Sequence, residues 1–371
     1  MNVPTQVEQI NWDAWLHTFP DLRALAKCPQ DPIFHAEGDV WTHTKMVVEA
    51  LMDGKTWQQA DADTREILWW AALFHDIAKP YCTVEEGGRI RSPRHALKGA
   101  GHVGRLLYTH LPAGIMPLSL AKREQIVSLV RYHGLPLWFW DKSDMLRSVI
   151  RASLHVPPYL IAALAEADVR GRICDDQQEL LDRVTLFREF CAENDCLHTA
   201  YDFPSAHSKY LYFQQSENHP TYHAYDDTMC EVTLMSGIPG AGKDTWLANN
   251  KSNMPVISLD AIRETLGVAP TDKQSPVIMR AKEQARDYLR AQQDFVWNAT
   301  NLTRRMRTPL IDLFRAYNAR VTIVYVEAPW DAILERNRTR DDAVPDNVLY
   351  NMAEMLEVPA QTEAQTVIWL A

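Results

Sequence analysis

Nine consecutive residues limit the fold of this 371-residue chain more than any others: Gly237-Ile238-Pro239-Gly240-Ala241-Gly242-Lys243-Asp244-Thr245. They follow a short apolar run, 232–235, and lead into a segment of helical character. The spacing GxxxxGK is that of a phosphate-binding loop. Its glycines let backbone N–H groups close around phosphate oxygens, the helix N-terminus adds positive potential, and Lys243 is placed to reach the β- and γ-phosphates. Gly237, Gly240, Ala241, Gly242, Lys243, Asp244 and Thr245 are the expected nucleotide-binding residues. The Ser or Thr that ordinarily follows the lysine and holds Mg2+ is replaced by Asp244. Either that carboxylate binds the ion or Thr245 takes over. The purely local alternative is that Asp244 favours the helix N-terminus.

From residue 230 onward, apolar runs at 232–235, 256–259, 295–297, 321–326 and 367–370 alternate with amphipathic stretches. That is the pattern of a parallel sheet covered by helices, an α/β domain. The run 295–297 ends in Asn298 rather than an acid, which argues against an ATPase that activates water. An acid instead follows the run 256–259. Asp260 is followed three residues on by Arg263, on one face of a short helix. Asp260 can take the proton of an acceptor hydroxyl while Arg263 grips a phosphate on the same acceptor. The structural alternative is a helix cap followed by a surface arginine. Further on, Arg336-Asn337-Arg338-Thr339-Arg340 trails another helix, and Arg336 and Arg340 suit a lid that closes over a polyphosphate. Between Asn301 and Arg340 eight arginines stand against four acids, in a chain whose net charge is −10. Such a segment can focus a positive groove for a polyanion.

The order from Gly237 to Lys243-Asp244-Thr245-Trp246, then Asp260-x-x-Arg263, then Arg340 ahead of Ala343-Val344-Pro345, resembles the kinase domain of phage-type 5′-hydroxyl polynucleotide kinases. The resemblance spans about 140 residues. It implies that Asp260 is the general base, that Arg263 contacts the acceptor's 3′-phosphate, and that Arg340 contacts the donor's phosphates. It also implies ATP or another NTP, with Mg2+, as cofactor.

The first half has a different texture. Helical patterns succeed one another at 40–52, 62–78, 98–110, 119–132, 141–154, 159–169 and 176–191, without β-branched runs. An all-α domain is expected over 1–195, then a Tyr-, His- and Pro-rich connector over 196–229, then the α/β domain over 230–371. Composition excludes other classes. With 46% hydrophobic and 23% charged residues the chain is globular rather than disordered. Its acidic balance excludes a generally basic nucleic-acid coat protein, although a few arginines and aromatic side chains suffice to bind one strand end. The longest apolar run, 67–74, falls far short of a bilayer span. No apolar leader is visible, and six cysteines without a CxxC pair read as reduced thiols, so the expected setting is cytoplasmic, with no membrane partner. Cys191, Cys196 and His198 lie close together but at no common zinc spacing.

Along the helical half lie His43, the adjacent pair His75-Asp76, and Asp168. One histidine on an apolar helix is ordinarily a core residue. Four such groups in this order suit a divalent transition-metal ion such as Mn2+. His95 and His133 would complete a second metal position, with His102 as a rival to His95. Asp76 can bridge two ions or hold a water, and Lys79, four residues after His75, shares its helix face and reaches a phosphate oxygen. Two ions would clamp a phosphoester and acidify a water between them, which makes Asp76 and Lys79 candidate catalytic groups. Arg170 and Arg172 would add phosphate contacts.

The segments His35-Ala36-Glu37-Gly38-Asp39-Val40-Trp41-Thr42-His43-Thr44, His75-Asp76 and Glu166-Ala167-Asp168-Val169-Arg170-Gly171-Arg172 resemble HD-superfamily phosphohydrolases. The wording is nearest to the HD domain appended to tRNA nucleotidyltransferases, and it covers residues 33–172. This resemblance implies that His43, His75, Asp76 and Asp168 hold the first metal. It also implies substrates that are 2′,3′-cyclic phosphates or 2′-phosphates of RNA ends. An HD phosphoesterase followed by a 5′-hydroxyl kinase is similar to the bacterial HD-Pnk family of RNA end-healing enzymes. The partners so implied are RNA ends, with DNA ends open, a nucleoside triphosphate, and a functional link to an RNA ligase. Two alternatives stand beside it: an enzyme of free nucleotides or small molecules, and a non-catalytic, nucleotide-gated RNA-binding module.

Overall fold

The structure, a computed structural model, describes residues 3–215, 217–340 and 343–371. It divides into two compact units, Met1–Asp202 and Phe203–Ala371. The division lies inside the segment expected as a connector. Residues 203–229 belong to the second unit, where helix Ala206–Gln214 places Tyr210 in the core.

In the first unit the helix Ala62–Phe74 is buried all round over 67–74, the mark of a central helix. Trp15 and Phe19 pack edge-on or tilted against its Trp69, Trp70 and Phe74. Around it pack Val40–Asp53, His95–Thr109, Leu120–Tyr132 and Pro158–Arg170. Their starts are set locally: the Asp39, Asp61 and Ser119 side chains accept from the N–H groups of Thr42, Thr64 and Lys122. Two expectations are corrected. The central helix ends at Phe74 rather than at 78, so His75-Asp76 lies in the turn beyond it and Lys79 opens a short 3-10 turn. The unit is also not wholly helical. Strands β1 (Val84–Glu86) and β2 (Arg89–Arg91) form an antiparallel hairpin. Its turn is Gly87-Gly88, both at positive φ, and its exposed charged strands gave no buried-strand pattern to read.

Helix ends converge on one place in this unit. His43 lies one turn into its helix, His95 begins one, His133 caps another, and Asp168 is in the last turn of Pro158–Arg170. The close approach of two of these helices depends on Gly171, where a Cβ would stand 2.7 Å from the backbone nitrogen of Val47.

The second unit holds a five-stranded parallel sheet. Its strands are β3 (Cys230–Ser236), β4 (Val256–Ser258), β5 (Phe295–Asn298), β6 (Ala319–Val326) and β7 (Thr366–Leu370), in the order β4-β5-β3-β6-β7. The central β3 is buried on both faces, as a parallel strand covered by helices must be. Helices Lys243–Asn250, Leu259–Leu266, Ser275–Arg290, Arg304–Arg315 and Trp330–Arg338 connect the strands. The glycine-rich loop leaves the C-terminal end of β3, where the chain path reverses across the sheet, the position where open α/β sheets bind ligands. Among the described residues no single helix is long and apolar enough to cross a membrane.

Candidate functional site

The first unit brings His43, His75, Asp76, His95, His133 and Asp168 together, and Asp76, His95, His133 and Asp168 line a cavity of about 1020 Å3. Two groups of ligand atoms form, each within 4.8 Å: His43, His75 and Asp168, and Asp76, His95 and His133. Asp76 faces both. Its Oδ2 lies 3.1 Å from His75 Nε2 and 3.8 Å from His43 Nε2, and its Oδ1 lies 3.3 Å from His95 Nε2. The imidazoles are aimed by backbone. His75, His95 and His133 each donate Nδ1–H to the carbonyl three residues earlier, at 2.8 Å in every case. That bond fixes the tautomer and leaves Nε2 as a bare acceptor pointing inward.

The inward atoms are poorly satisfied by protein alone. His95 Nε2 and His133 Nε2 face each other at 3.3 Å, acceptor to acceptor. His75 Nε2 and Asp76 Oδ1 are buried without a hydrogen-bond donor. A proton between the imidazoles is disfavoured. Burial and neighbouring imidazoles push the His133 pKa down to about 3, and burial lowers that of His95. Asp76 and Asp168 stay ionised well below the usual range. Burial opposes this, but His75 and Lys79 around Asp76, and Arg172 and His43 around Asp168, outweigh it. The neutral imidazoles of His95 and His133, with the ionised carboxylates of Asp76 and Asp168, fit a divalent metal ion, while His43, where burial is outweighed by Asp168 and Glu37, has its pKa raised.

The surrounding groups complete the picture. Lys79 Nζ sits 2.7 Å from Asp76 Oδ2 and 2.7 Å from Gln30 Oε1. The sequence expectation reached Lys79 through a helix face, but a 3-10 turn delivers it. His95, not His102, joins the cluster; His102 lies beside Asp21 at 3.6 Å. Arg172 grips Asp168 through both carboxylate oxygens, at 3.1 and 2.5 Å. Arg170 is exposed and pairs with Glu166, so it supplies no contact here. Glu37 was missed by sequence reasoning. Its Oε1 stands 3.0 Å from His43 Nδ1 and so turns the opposite nitrogen toward Asp168, 3.0 Å away.

In the second unit a cavity of about 850 Å3 lies over the glycine-rich loop. Gly237 has φ +141, and a Cβ there would meet the Val326 carbonyl oxygen at 2.3 Å, so only glycine fits. Lys243 is buried, and its Nζ donates to the carbonyls of Gly237 (2.8 Å) and Ile238 (3.1 Å). Burial pulls its pKa down to about 8, against the attraction of Asp244 and Asp260. Asp244 and Thr245 line the cavity, and Asp244 Oδ1 accepts from Asn298 Nδ2 at 2.7 Å.

Asp260 and Arg263 line the same cavity and pair with each other, while Arg263 Nε also donates to Gln274 at 2.9 Å. Asp260 is not the helix cap: Ser258 takes that role, and the Asp260 side chain is 83% exposed to the cavity side and solvent. Arg336 and Arg340 reach the cavity, with Arg336 donating to the Gly240 carbonyl at 3.0 Å. Of the eight arginines over 301–340, Arg336 and Arg340 line the cavity among the described residues; Arg307 is instead buried against Glu363, and Arg320 pairs with Asp226. Nothing in the sequence marked Arg307, whose Nη1 also donates to the carbonyls of Asn301 and Glu357 and ties down the loop after β5.

Comparison with known proteins agrees with this second site. A family model described as an AAA domain matches residues 232–359. An L-seryl-tRNA(Sec) kinase of Methanococcus maripaludis is 22% identical over 135 residues, 34% of this chain and 53% of that protein. The chain thus spans about half the length of that curated relative. Solved structures are similar as well. A candidate kinase from Chloroflexus aurantiacus is 18% identical, covering 38% of this chain and 88% of its own, with a TM-score of 0.33. A gluconokinase from Sinorhizobium meliloti is 19% identical, covering 39% and 85%, with a TM-score of 0.28. The second unit is a kinase-like P-loop domain, and such a domain works with ATP and Mg2+.

Proposed function

We propose that the chain is a bifunctional RNA end-healing enzyme. The second unit phosphorylates 5′-hydroxyl ends. The first, an HD-type phosphohydrolase domain, removes 2′,3′-cyclic, 2′- or 3′-phosphates. The observation that carries the reading is the pair of ligand groups joined by Asp76, with Lys79 beside it, in the same chain as a P-loop facing Asp260 and Arg263.

In the kinase unit, the loop N–H groups and Lys243 hold the β- and γ-phosphates, and Arg336 and Arg340 close on them. Arg263 leaves its ion pair to hold the acceptor's phosphate, which frees Asp260 to take the proton of the 5′-hydroxyl. The new bond joins that oxygen to the γ-phosphorus, the bond to the β-phosphate bridging oxygen breaks, and the proton ends on Asp260.

In the first unit, His43, His75, Asp76 and Asp168 would hold one divalent ion, and Asp76, His95 and His133 a second. Bound there, such ions supply Lewis acidity and an activated water at neutral pH. The chain's own contributions are orientation and charge. Glu37 aims His43, Arg172 holds Asp168, and Lys79 is placed to meet a phosphate oxygen. Phe34 and Trp138 line the cavity and are part-exposed, each with an arginine over its ring (Arg89 at 5.1 Å, Arg183 at 5.2 Å). Such rings suit stacked bases better than a free sugar phosphate. This architecture fits a partner that is an RNA terminus, with a ligase acting on the healed ends.

A relative of this unit is an L-seryl-tRNA(Sec) kinase, whose acceptor is neither a free RNA end nor a small alcohol, so acceptor competition is the test. A 5′-hydroxyl oligoribonucleotide should take label from γ-labelled ATP far faster than nucleosides or gluconate, and Asp260→Asn should lower the rate by about 10²-fold or more. Equal labelling of a small alcohol would favour a metabolite kinase. Unchanged turnover in Asp260→Asn would remove the assigned base.

A further inference from the structure

The kinase-like site departs from its own pattern at two positions that touch. In P-loop enzymes the helix residue after the lysine supplies a hydroxyl to Mg2+, and a carboxylate stands at the end of a neighbouring strand. Here the helix residue is the carboxylate, Asp244, and the strand end is the neutral amide, Asn298, the last residue of β5. They are 54 residues apart in sequence, yet Asn298 Nδ2 donates to Asp244 Oδ1 at 2.7 Å, and both line the phosphate cavity. The site therefore keeps one carboxylate at this point and moves it from the sheet to the helix.

We propose that Asp244 is the direct carboxylate ligand of the nucleotide's divalent ion, and that Asn298 is the positioning residue that aims it. This rests on the reading of the second unit as an NTP- and Mg2+-dependent kinase. The amide engages one oxygen, Oδ1, and leaves Oδ2 without a protein donor among the described residues, in a side chain that lines the cavity together with Lys243. An orienting hydrogen bond to one oxygen of a ligating carboxylate is the usual way a metal ligand is held in direction. Thr245 then has no metal role.

The arrangement has a consequence a hydroxyl would not produce. A carboxylate beside the triphosphate repels the nucleotide until a cation stands between them. Metal and nucleotide must therefore bind with strong positive coupling, and metal-free ATP must bind poorly. Moving the carboxylate back to the strand should restore coupling that its removal has cost.

The test measures the affinity of a fluorescent ATP analogue with and without Mn2+ in the full-length protein, and Mn2+ binding by paramagnetic resonance in the presence of ADP. The ratio of metal-free to metal-bound dissociation constants is the readout. Asp244→Asn, nearly isosteric at an exposed position, and Asp244→Ser should each lower that ratio by about tenfold or more. Asp244→Ser combined with Asn298→Asp should bring it back toward the parent value, and Thr245→Ala should leave it unchanged. The proposal is overturned if Asp244→Asn keeps the ratio within threefold, or if Thr245→Ala abolishes it. Failure of the underlying kinase reading looks different: the parent protein would bind no nucleotide, or Lys243→Ala would bind it equally well.

Discussion

Gly237→Ala offers a direct test of how the phosphate loop is built. Two separate penalties meet at this residue. Its φ of +141 belongs to a region nearly closed to other residues, at a cost of about 1–3 kcal/mol. The added methyl would also stand 2.3 Å from the Val326 carbonyl oxygen, an atom of the last residue of β6. Relieving that overlap moves backbone, which costs a further 1–3 kcal/mol or so. The sum is roughly 4 kcal/mol, or about 12 °C in the Tm of a unit this size. Gly267→Ala is the matched control. Its φ is +64, and a Cβ there meets nothing within 4 Å, so it carries the backbone cost alone, about 1 kcal/mol or 3 °C. The assay is thermal and urea unfolding of both variants, with ATP binding in parallel. Gly237→Ala should lose ATP affinity by more than tenfold as the loop N–H groups shift, while Gly267→Ala keeps it. If the two variants fall within a few degrees of each other and both bind ATP, the contact with Val326 does not shape the loop.

Three further outcomes follow from named contacts. Lys243 begins with a pKa of about 8 because it is buried, while the bound phosphates require the ammonium. Affinity is therefore full below pH 8 and lost as the pH rises through it; calorimetry should find a fall of about 30-fold from pH 7 to 9.5, with proton uptake on binding. A fall under threefold without uptake contradicts this. His133→Ala removes an imidazole from the second candidate group, so on the proposed two-ion reading Mn2+ affinity should drop by about tenfold or more and the Mn2+-induced rise in Tm should shrink, whereas an unchanged rise would exclude His133 from the metal shell. Arg307→Met leaves the Glu363 carboxylate buried without its partner, at a cost of about 3–5 kcal/mol in urea unfolding, part of which Arg307→Met with Glu363→Gln should recover. A loss below 1 kcal/mol would show that the pair does not hold the loop after β5.

What could be read from the sequence was what depends on local rules. The glycine spacing from 237 to 242 fixes its own backbone, so the loop was legible without any tertiary contact. The alternation after residue 230 sufficed for the parallel sheet because buried parallel strands read as apolar runs. His43, His75, Asp76, His133 and Asp168 could be picked out by residue type and order, although their distances could not. The choice between His95 and His102 depends on where a helix begins, and nothing periodic marks that point. Arg94, just before it, sits at φ +60 and begins the helix whose first residue is His95. Glu37 and Gln30 lie in irregular chain, where no period aims a side chain. Arg170 is instructive in the other direction: Glu166 stands four residues before it on the same helix, so simple helix geometry already contained its ion pair. The Gly87-Gly88 dipeptide was likewise a legible hairpin signal between short charged strands. Arg307 could not have been found, since a buried arginine depends on Glu363, which lies 56 residues away.

The most direct test of the two-site account is mass spectrometry of one RNA carrying a 5′-hydroxyl and a 2′,3′-cyclic phosphate, incubated with the protein, ATP, Mg2+ and Mn2+. The account requires a product that gains a phosphate at the 5′ end and loses the one at the 3′ end, with Asp260→Asn abolishing only the gain and His75→Ala only the loss. Both RNA ends left intact while ATP is spent on a small alcohol would contradict it.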